Sequence, residues 1–131
     1  MKNVNELHFP EECRYTVEHI WIRPDGGEYV VGISDFAQDQ LGEIAFVDLP
    51  APGAHHDAGE AFGTVESLKS VNELFMPVAG EVIAVNEELE STPTLVNVAP
   101  YGQGWMIRLR PDNPANVDTL LDADSYRAGL A

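Results

Sequence analysis

Cysteine is almost missing from this chain. Cys13 stands alone, so an intramolecular disulfide is excluded, as is a zinc site built on thiolates, and a reducing compartment is the natural setting. Positive charge is also scarce. Seven basic residues face 22 acidic ones, a formal charge of −15, and the resulting field repels phosphate backbones and anionic membrane surfaces. Nucleic acid and membranes are therefore poor partners. The excess acid leaves two readings open, a solubilising surface or steering towards a basic docking face on a larger protein. No run of 18 apolar residues occurs, so no membrane-spanning helix is expected. Met1 to Leu7 carry one Lys, one Glu and no long apolar run, which matches neither a secretory signal nor an Arg-rich transit peptide. The expected location is the cytoplasm of a bacterium, with the mitochondrial matrix as the alternative for a processed organellar chain. Catalytic motifs are missing too: there is no Gly-x-Ser-x-Gly elbow, phosphate-binding Gly-rich loop, His-Glu-x-x-His or dinucleotide fingerprint. No independent catalytic site is expected.

What is present describes a folded β protein. Hydrophobic content of 44%, with two Trp, four Tyr and five Phe, argues against disorder except at the ends. The length of 131 residues fits one domain able to bury roughly two thirds of its unfolded surface. Turn residues recur at Pro24-Asp25-Gly26-Gly27, Pro50-Ala51-Pro52-Gly53, Ala79-Gly80, Thr92-Pro93, Pro100-Tyr101-Gly102 and Pro111-Asp112-Asn113-Pro114. Between them lie short β-prone runs at residues 19–22, 29–33, 43–49, 62–65, 73–78, 81–86 and 105–109, which predict an all-β sandwich or barrel. Two segments depart from this. Ser34 to Gly42 reads as a short helix with a serine cap, spaced Phe36, Ala37 and Leu41, and a terminal glycine. Residues 116–130 predict a helical tail whose apolar stripe, Val117, Leu120, Leu121 and Tyr126, is interrupted by capping residues around 122–125. Gly42-Glu43-Ile44-Ala45-Phe46-Val47 echoes Gly80-Glu81-Val82-Ile83-Ala84-Val85, hinting at two similar halves without making a repeat array.

Few side chains suggest chemistry. His55-His56-Asp57 has metal-binding types, but adjacent residues on a strand point apart and no further ligand pair stands out, so a solvated loop is expected. Glu12 opposes any stabilisation of a Cys13 thiolate by Arg14. Glu87-Glu88-Leu89-Glu90 reads as a solvated turn face, not an acid/base pair. The exception is Lys69. It sits in Glu66-Ser67-Leu68-Lys69-Ser70, just before an arm in which Leu74, Met76 and Val78 alternate as one buried face of a strand. An ordinary solvated turn lysine has the same local composition. A carrier, however, needs only an attachment point on a rigid mount.

The run Glu66-Ser67-Leu68-Lys69-Ser70, followed by Pro77-Val78-Ala79-Gly80-Glu81-Val82, resembles the lipoyl-lysine hairpin of the glycine cleavage system H-protein family. The resemblance continues through Tyr15-Thr16 with His19 and Trp21, Val31-Gly32-Ile33-Ser34-Asp35-Phe36-Ala37-Gln38, Leu41-Gly42-Glu43, Val47-Asp48-Leu49-Pro50, Asn86-Glu87, Leu95-Val96-Asn97, Pro100-Tyr101-Gly102 and Gly104-Trp105. Only the first dozen residues lie outside it. It implies a mainly β flattened barrel-sandwich of the lipoyl and biotinyl carrier type, with short helices including one at the C-terminus. The expected layout is an N-terminal extension at 1–12, a sandwich at 13–110 and a helical tail at 111–131. Lys69 is then amide-linked to lipoic acid by a separate lipoylating enzyme. Such an arm, about a dozen bonds of ~1.5 Å, reaches on the order of 14 Å, far enough to visit several active sites. The implied partners are a pyridoxal phosphate-dependent glycine decarboxylase that loads an aminomethyl group, a tetrahydrofolate-dependent aminomethyltransferase, and dihydrolipoamide dehydrogenase. Glu66 and Glu73, with Ser67 and Ser70, match the family's positions flanking the lysine. They read as recognition features or, for the two acids, as charges guarding a hairpin edge. Gly80 is expected to serve a turn, and Trp21 and Trp105 the core.

Two further classes stay in view. Biotinyl lysines usually sit between methionines, where this chain has Leu68 and Ser70, and the lipoyl modules of 2-oxoacid dehydrogenases are shorter and usually place Asp before the lysine. A stand-alone β binding domain predicts no modification. One departure from the family also matters. Glu usually separates the residues matching His19 and Trp21, and is associated with holding the amine of the loaded arm; this chain has Ile20. Either Glu18 or Asp35 substitutes, or the chain is a paralogue serving lipoyl relay. An apolar Ile20 is expected to shorten the life of the loaded arm. Replacement by Ile20→Glu should slow its hydrolysis, followed as formaldehyde release; an unchanged rate would remove that role from position 20.

Overall fold

The short β-prone runs pair into two antiparallel sheets in the computed structural model, which describes residues 3–130. One sheet runs β1 (Arg14–Tyr15), β2 (Ile20–Asp25), β3 (Glu28–Ile33), β9 (Ile107–Pro111), β8 (Gly80–Val85), β5 (His55–His56). The other runs β4 (Ile44–Asp48), β6 (Ala61–Ser67), β7 (Val71–Phe75). Neither sheet closes on itself, so the architecture is a flattened barrel-sandwich, mainly β, as the sequence predicts.

Residues 20–33 carry too many apolar side chains for a strand with one wet face. In the β2–β3 hairpin, Ile20 pairs with Ile33 and Ile22 with Val31, and all four join the core shared with β4, β6 and β7. Trp21 and Val30 of the same hairpin belong to a second cluster, with Phe9, Tyr15 and Tyr126. Strands covered on both faces read as nearly continuous apolar runs. The second cluster is closed by the chain ends. Helix α4 (Ala123–Leu130) stacks Tyr126 on Tyr15 at 4.7 Å, and Phe9 packs edge-on against both rings. Trp21 is fully buried and donates through Nε1 to the Pro100 carbonyl at 3.0 Å, while Trp105 packs partly buried on the same cluster.

Helix α1 (Asp35–Leu41) forms where expected, capped by the Ser34 hydroxyl, which accepts from the Ala37 amide at 3.2 Å. The tail resolves into a 3₁₀ turn at Pro114–Thr119 and α4, with the Asp122 carboxylate accepting from the Ser125 amide at the interruption.

Several expectations are corrected. Residues 55–56 form strand β5 against β8, because backbone pairing with Gly80 and Glu81 overrides their polar side chains. The acidic stretch near residue 88 is not a plain turn: α2 (Glu88–Ser91) buries Leu89, and a further helix, α3 (Leu95–Val98), buries Val96. The strand expected over 73–78 starts at Val71 and ends at Phe75, although Met76 and Val78 are buried beyond it. The last strand starts at Ile107, two residues later than expected.

Gly80 serves no turn. It lies within β8 between β5 and β9, paired with both His56 and Pro111. A Cβ there would fall 2.5 Å from the Arg110 carbonyl oxygen, so glycine is required for close backbone approach. Gly80→Ala should therefore lower unfolding free energy by about 1–3 kcal/mol, the usual cost of overpacking against something that cannot yield. Urea denaturation checks this, with an unchanged midpoint counting against the contact.

Candidate functional site

The β6–β7 turn presents Lys69, and a buried serine fixes it. Ser67 donates its amide to the Ser70 carbonyl at 2.9 Å, while its hydroxyl accepts from the amides of Lys69 and Ser70, each at 3.2 Å. A hydroxyl that satisfies turn amides replaces water there and sets the lysine backbone. The turn also rests on the body of the protein, since the Leu68 amide meets the Glu43 carbonyl at 3.4 Å. From this mount the exposed Lys69 side chain folds over the end of α1. Its Nζ donates to the Gln40 carbonyl at 3.3 Å, where the helix terminus favours positive charge.

Gly42 makes room for that path. It caps α1 with φ of 78°, and a Cβ on it would lie 3.3 Å from Lys69 Cε. Asn97 holds this junction from α3. Its Oδ1 accepts from the Ile44 amide at 2.9 Å, and its Nδ2 donates to the Gln38 Oε1 at 3.0 Å and the Gly42 carbonyl at 2.8 Å.

Beside the lysine lies a cleft of about 470 Å³, within the range of small-molecule sites. Ile20, Ile33, Phe36 and Leu41 line it from the α1 side, and Val65, Leu74 and Phe75 from the hairpin side. Its polar lining is Glu18, His19, Gln40, Asn72 and Glu73. Gln40 links the parts, since it lines the cleft and holds the Lys69 amine.

His19 is held tightly at the cleft. Its φ of 69° is left-handed, a conformation uncommon outside glycine and tolerated here because its amide meets the Thr16 carbonyl and its carbonyl meets the Ser34 amide. The ring packs on Phe36 with centroids 4.9 Å apart, and Nδ1 lies 2.7 Å from the Tyr126 hydroxyl. That hydroxyl is 2.8 Å from the Ser34 Oγ. Burial lowers the His19 pKa, opposed by the Glu18 charge, whereas burial pushes Tyr126 up to about 12.

The other residues singled out from sequence are spread around this centre. Glu66 pairs across the sheet with Phe46 on one side and Val71 on the other, both exposed, and Leu68 is exposed at the tip. Glu73 and Glu18 are exposed residues of the cleft lining. Asp35 is absent from that lining: its carboxylate accepts from the His8 amide at 2.8 Å and from Gln38 Nε2 at 2.7 Å. Gly80 sits in the other sheet. Cys13 is buried, with its thiol pushed up to about 12 by burial. His55 pairs with Asp112 at 2.7 Å, and among the described residues no three His, Cys, Asp or Glu group to hold a metal. Sequence reasoning missed Gln40, Asn97 and Tyr126 as parts of the site. A glycine closing the α1 pattern is the one local clue to the junction under Lys69.

Comparison with known proteins places this geometry in a family. The model of the family described as glycine cleavage H-protein matches residues 13–131. A glycine cleavage system H protein from Bacteroides fragilis is 52% identical over 122 residues, covering 93% of this chain and 97% of that protein. One from Magnetococcus marinus is 48% identical, covering 95% of this chain and 89% of its own. The crystal structure of a glycine cleavage system H protein from Mycobacterium marinum superposes with a TM-score of 0.85 at 35% identity, over 93% of this chain and 98% of that one.

The His19 environment sets a pH dependence. Its folded pKa lies below the ordinary 6.5, so the unfolded chain takes up the proton first. The stability held above pH 6.5 is then lost as pH falls through the folded midpoint. An NMR titration of the imidazole should give a midpoint below 6.5, and His19→Gln should flatten this part of the acid limb of the stability curve. A midpoint at or above the ordinary value would contradict the burial argument.

Proposed function

The chain belongs to the glycine cleavage H-protein family, and from that premise we propose that it acts as a single carrier domain with lipoic acid amide-linked to Lys69. Its work is that of the lipoyl carrier of the glycine cleavage system; lipoyl relay or a stand-alone binding role is not favoured. The observation that supports attachment at Lys69 is its presentation: an exposed amine on a hydroxyl-fixed turn, passing over a glycine beside a largely apolar cleft. These residues fit a lipoyl group. The cleft has the volume and lining for a hydrocarbon chain ending in a small ring, and Gly42 leaves the exit from the lysine clear.

When bound, lipoate supplies a disulfide that accepts and yields a group and a pair of electrons, and the protein supplies position. Ser67 holds the backbone from which the arm leaves, and Asn97 braces the α1 end below it. Ile20, Phe36 and Leu74 exclude water from the cleft wall. Partners are the other components of the glycine cleavage system, proposed as the decarboxylase, the aminomethyltransferase, dihydrolipoamide dehydrogenase and a lipoylating enzyme. Exposed Leu68, Val71 and Phe46, interleaved with Glu66, offer them an apolar and acidic contact surface around the lysine. The bacterial relatives support a cytoplasmic setting.

Intact mass after growth with lipoate tests the attachment. The chain should gain one lipoyl increment, and Lys69→Arg, which keeps the charge and changes nothing buried, should gain none. An increment that survives Lys69→Arg, or its absence from the parent chain, would reject Lys69 as the carrier residue.

A further inference from the structure

The carboxylates at α2 have no cation of their own. Among the described residues every lysine and arginine is engaged elsewhere: Arg14 and Arg23 donate to backbone carbonyls, Arg108 pairs with Asp25 and Glu28, Arg110 with Glu81, and Arg127 with Asp124, while Lys69 meets the Gln40 carbonyl. Glu87, Glu88 and Glu90 are exposed, and among the described residues no group bonds to their carboxylates. These acids border a groove with apolar walls. Two adjoining hollows, of about 480 and 430 Å³, share Val85, Asn86 and Glu87; Phe46, Leu49 and Leu89 line the first and Trp105 the second. Neither is lined by a lysine, arginine or histidine.

A buried amide sets the shape of this groove in advance. Asn86 donates through Nδ2 to the Gln103 and Trp105 carbonyls at 2.7 and 2.8 Å, and its Oδ1 accepts from the Glu88 amide at 3.2 Å. The α2 turn and the segment carrying Trp105 are thereby tied together, so little freedom is lost when a ligand arrives. What completes such a surface is an apolar side chain flanked by cations. A second copy of this chain is a poor source, since a formal charge of −15 repels its like and its cations are engaged.

We propose that this groove is a docking surface for a cationic segment of a partner enzyme, which seats an apolar side chain among Phe46, Leu49 and Leu89 and sets lysines or arginines against Glu87, Glu88 and Glu90. This rests on the carrier reading of Lys69. The groove shares no residue with the cleft beside the lysine, and it lies on β4, the edge strand opposite β7. Phe46 nevertheless pairs with Glu66 in the strand that leads to Lys69. A segment bound here holds the body of the carrier close to the lysine turn and leaves the turn itself uncovered.

The test uses the lipoylated chain, its modification verified by mass, as the varied substrate of the decarboxylase, the aminomethyltransferase and dihydrolipoamide dehydrogenase, and the unmodified chain for the lipoylating enzyme. Rates are measured at about 50 and about 200 mM salt, a range over which exposed charge pairs become screened. The triple variant Glu87→Gln, Glu88→Gln, Glu90→Gln should raise KM about tenfold for at least one enzyme at the lower salt, with kcat unchanged, and should remove most of the salt dependence. Phe46→Ser, at an exposed position, should raise the KM of the same enzyme at both salt concentrations. Glu11→Gln, Glu12→Gln, Asp118→Asn removes equal charge from exposed positions outside the groove and should leave that KM unchanged. An equal rise in both triple variants would assign the effect to net charge and overturn the docking surface. So would an unchanged KM for every enzyme with the α2 variant, or a dimer of the parent chain in sedimentation that the α2 variant abolishes, and the carrier reading would stand in each case. Absence of the lipoyl increment from the parent chain overturns both.

Discussion

Helix α1 is held at both ends, and the site depends on that. At its start the buried Ser34 hydroxyl accepts from the Ala37 amide and reaches Tyr126, so one oxygen caps the helix and ties it to the C-terminal segment. At its end Gly42 and the Gln40 carbonyl form the surface over which Lys69 lies. A helix of seven residues is too short to be stable by itself, so its caps and its packing determine where it stands. Loss of either anchor would move one wall of the cleft and the support of the lysine together.

Buried polar groups elsewhere follow the same economy. Among the described residues Ser34, Gln38, Ser67 and Asn86 are the buried polar ones, and each makes hydrogen bonds within the protein, whereas Nε2 of the half-buried His56 has none. Three of them lie on α1, at its cap or in the lysine turn. Since an unsatisfied buried polar group costs more than a made bond returns, such groups specify one arrangement and penalise its neighbours. A turn closed by the Ser67 hydroxyl fixes the backbone of Lys69 in one orientation without enclosing its amine.

Legibility in the sequence divided along physical lines. The α1 caps, Ser34 and Gly42, were readable because capping acts over a few residues. The runs at β2 and β3 were readable as strands, although their burial on two faces was not, since periodicity does not reveal what covers the second face. Strand β5 escaped because His55 and His56 have no apolar pattern and owe their pairing to backbone contact with β8. Gly80 was assigned to a turn by composition, and only the neighbouring Arg110 carbonyl shows what the missing Cβ avoids. Asp35 looked available to the cleft until His8 and Gln38 were seen to occupy its carboxylate.

The sequence by itself determined the mainly β class, the short capped helix, and a lysine in a turn ahead of a buried arm, because each is set by neighbours within about one turn or strand. Tertiary structure alone decided that Lys69 lies over Gly42 and against Gln40, 29 residues away, and that His19 meets Tyr126 across a separation of 107. Those contacts join elements brought together by the packing of two sheets and two chain ends. No local propensity encodes which side chains meet there, so the contacts of the His19 ring with Tyr126 and of Tyr126 with the enclosed Ser34 became visible only in the folded chain.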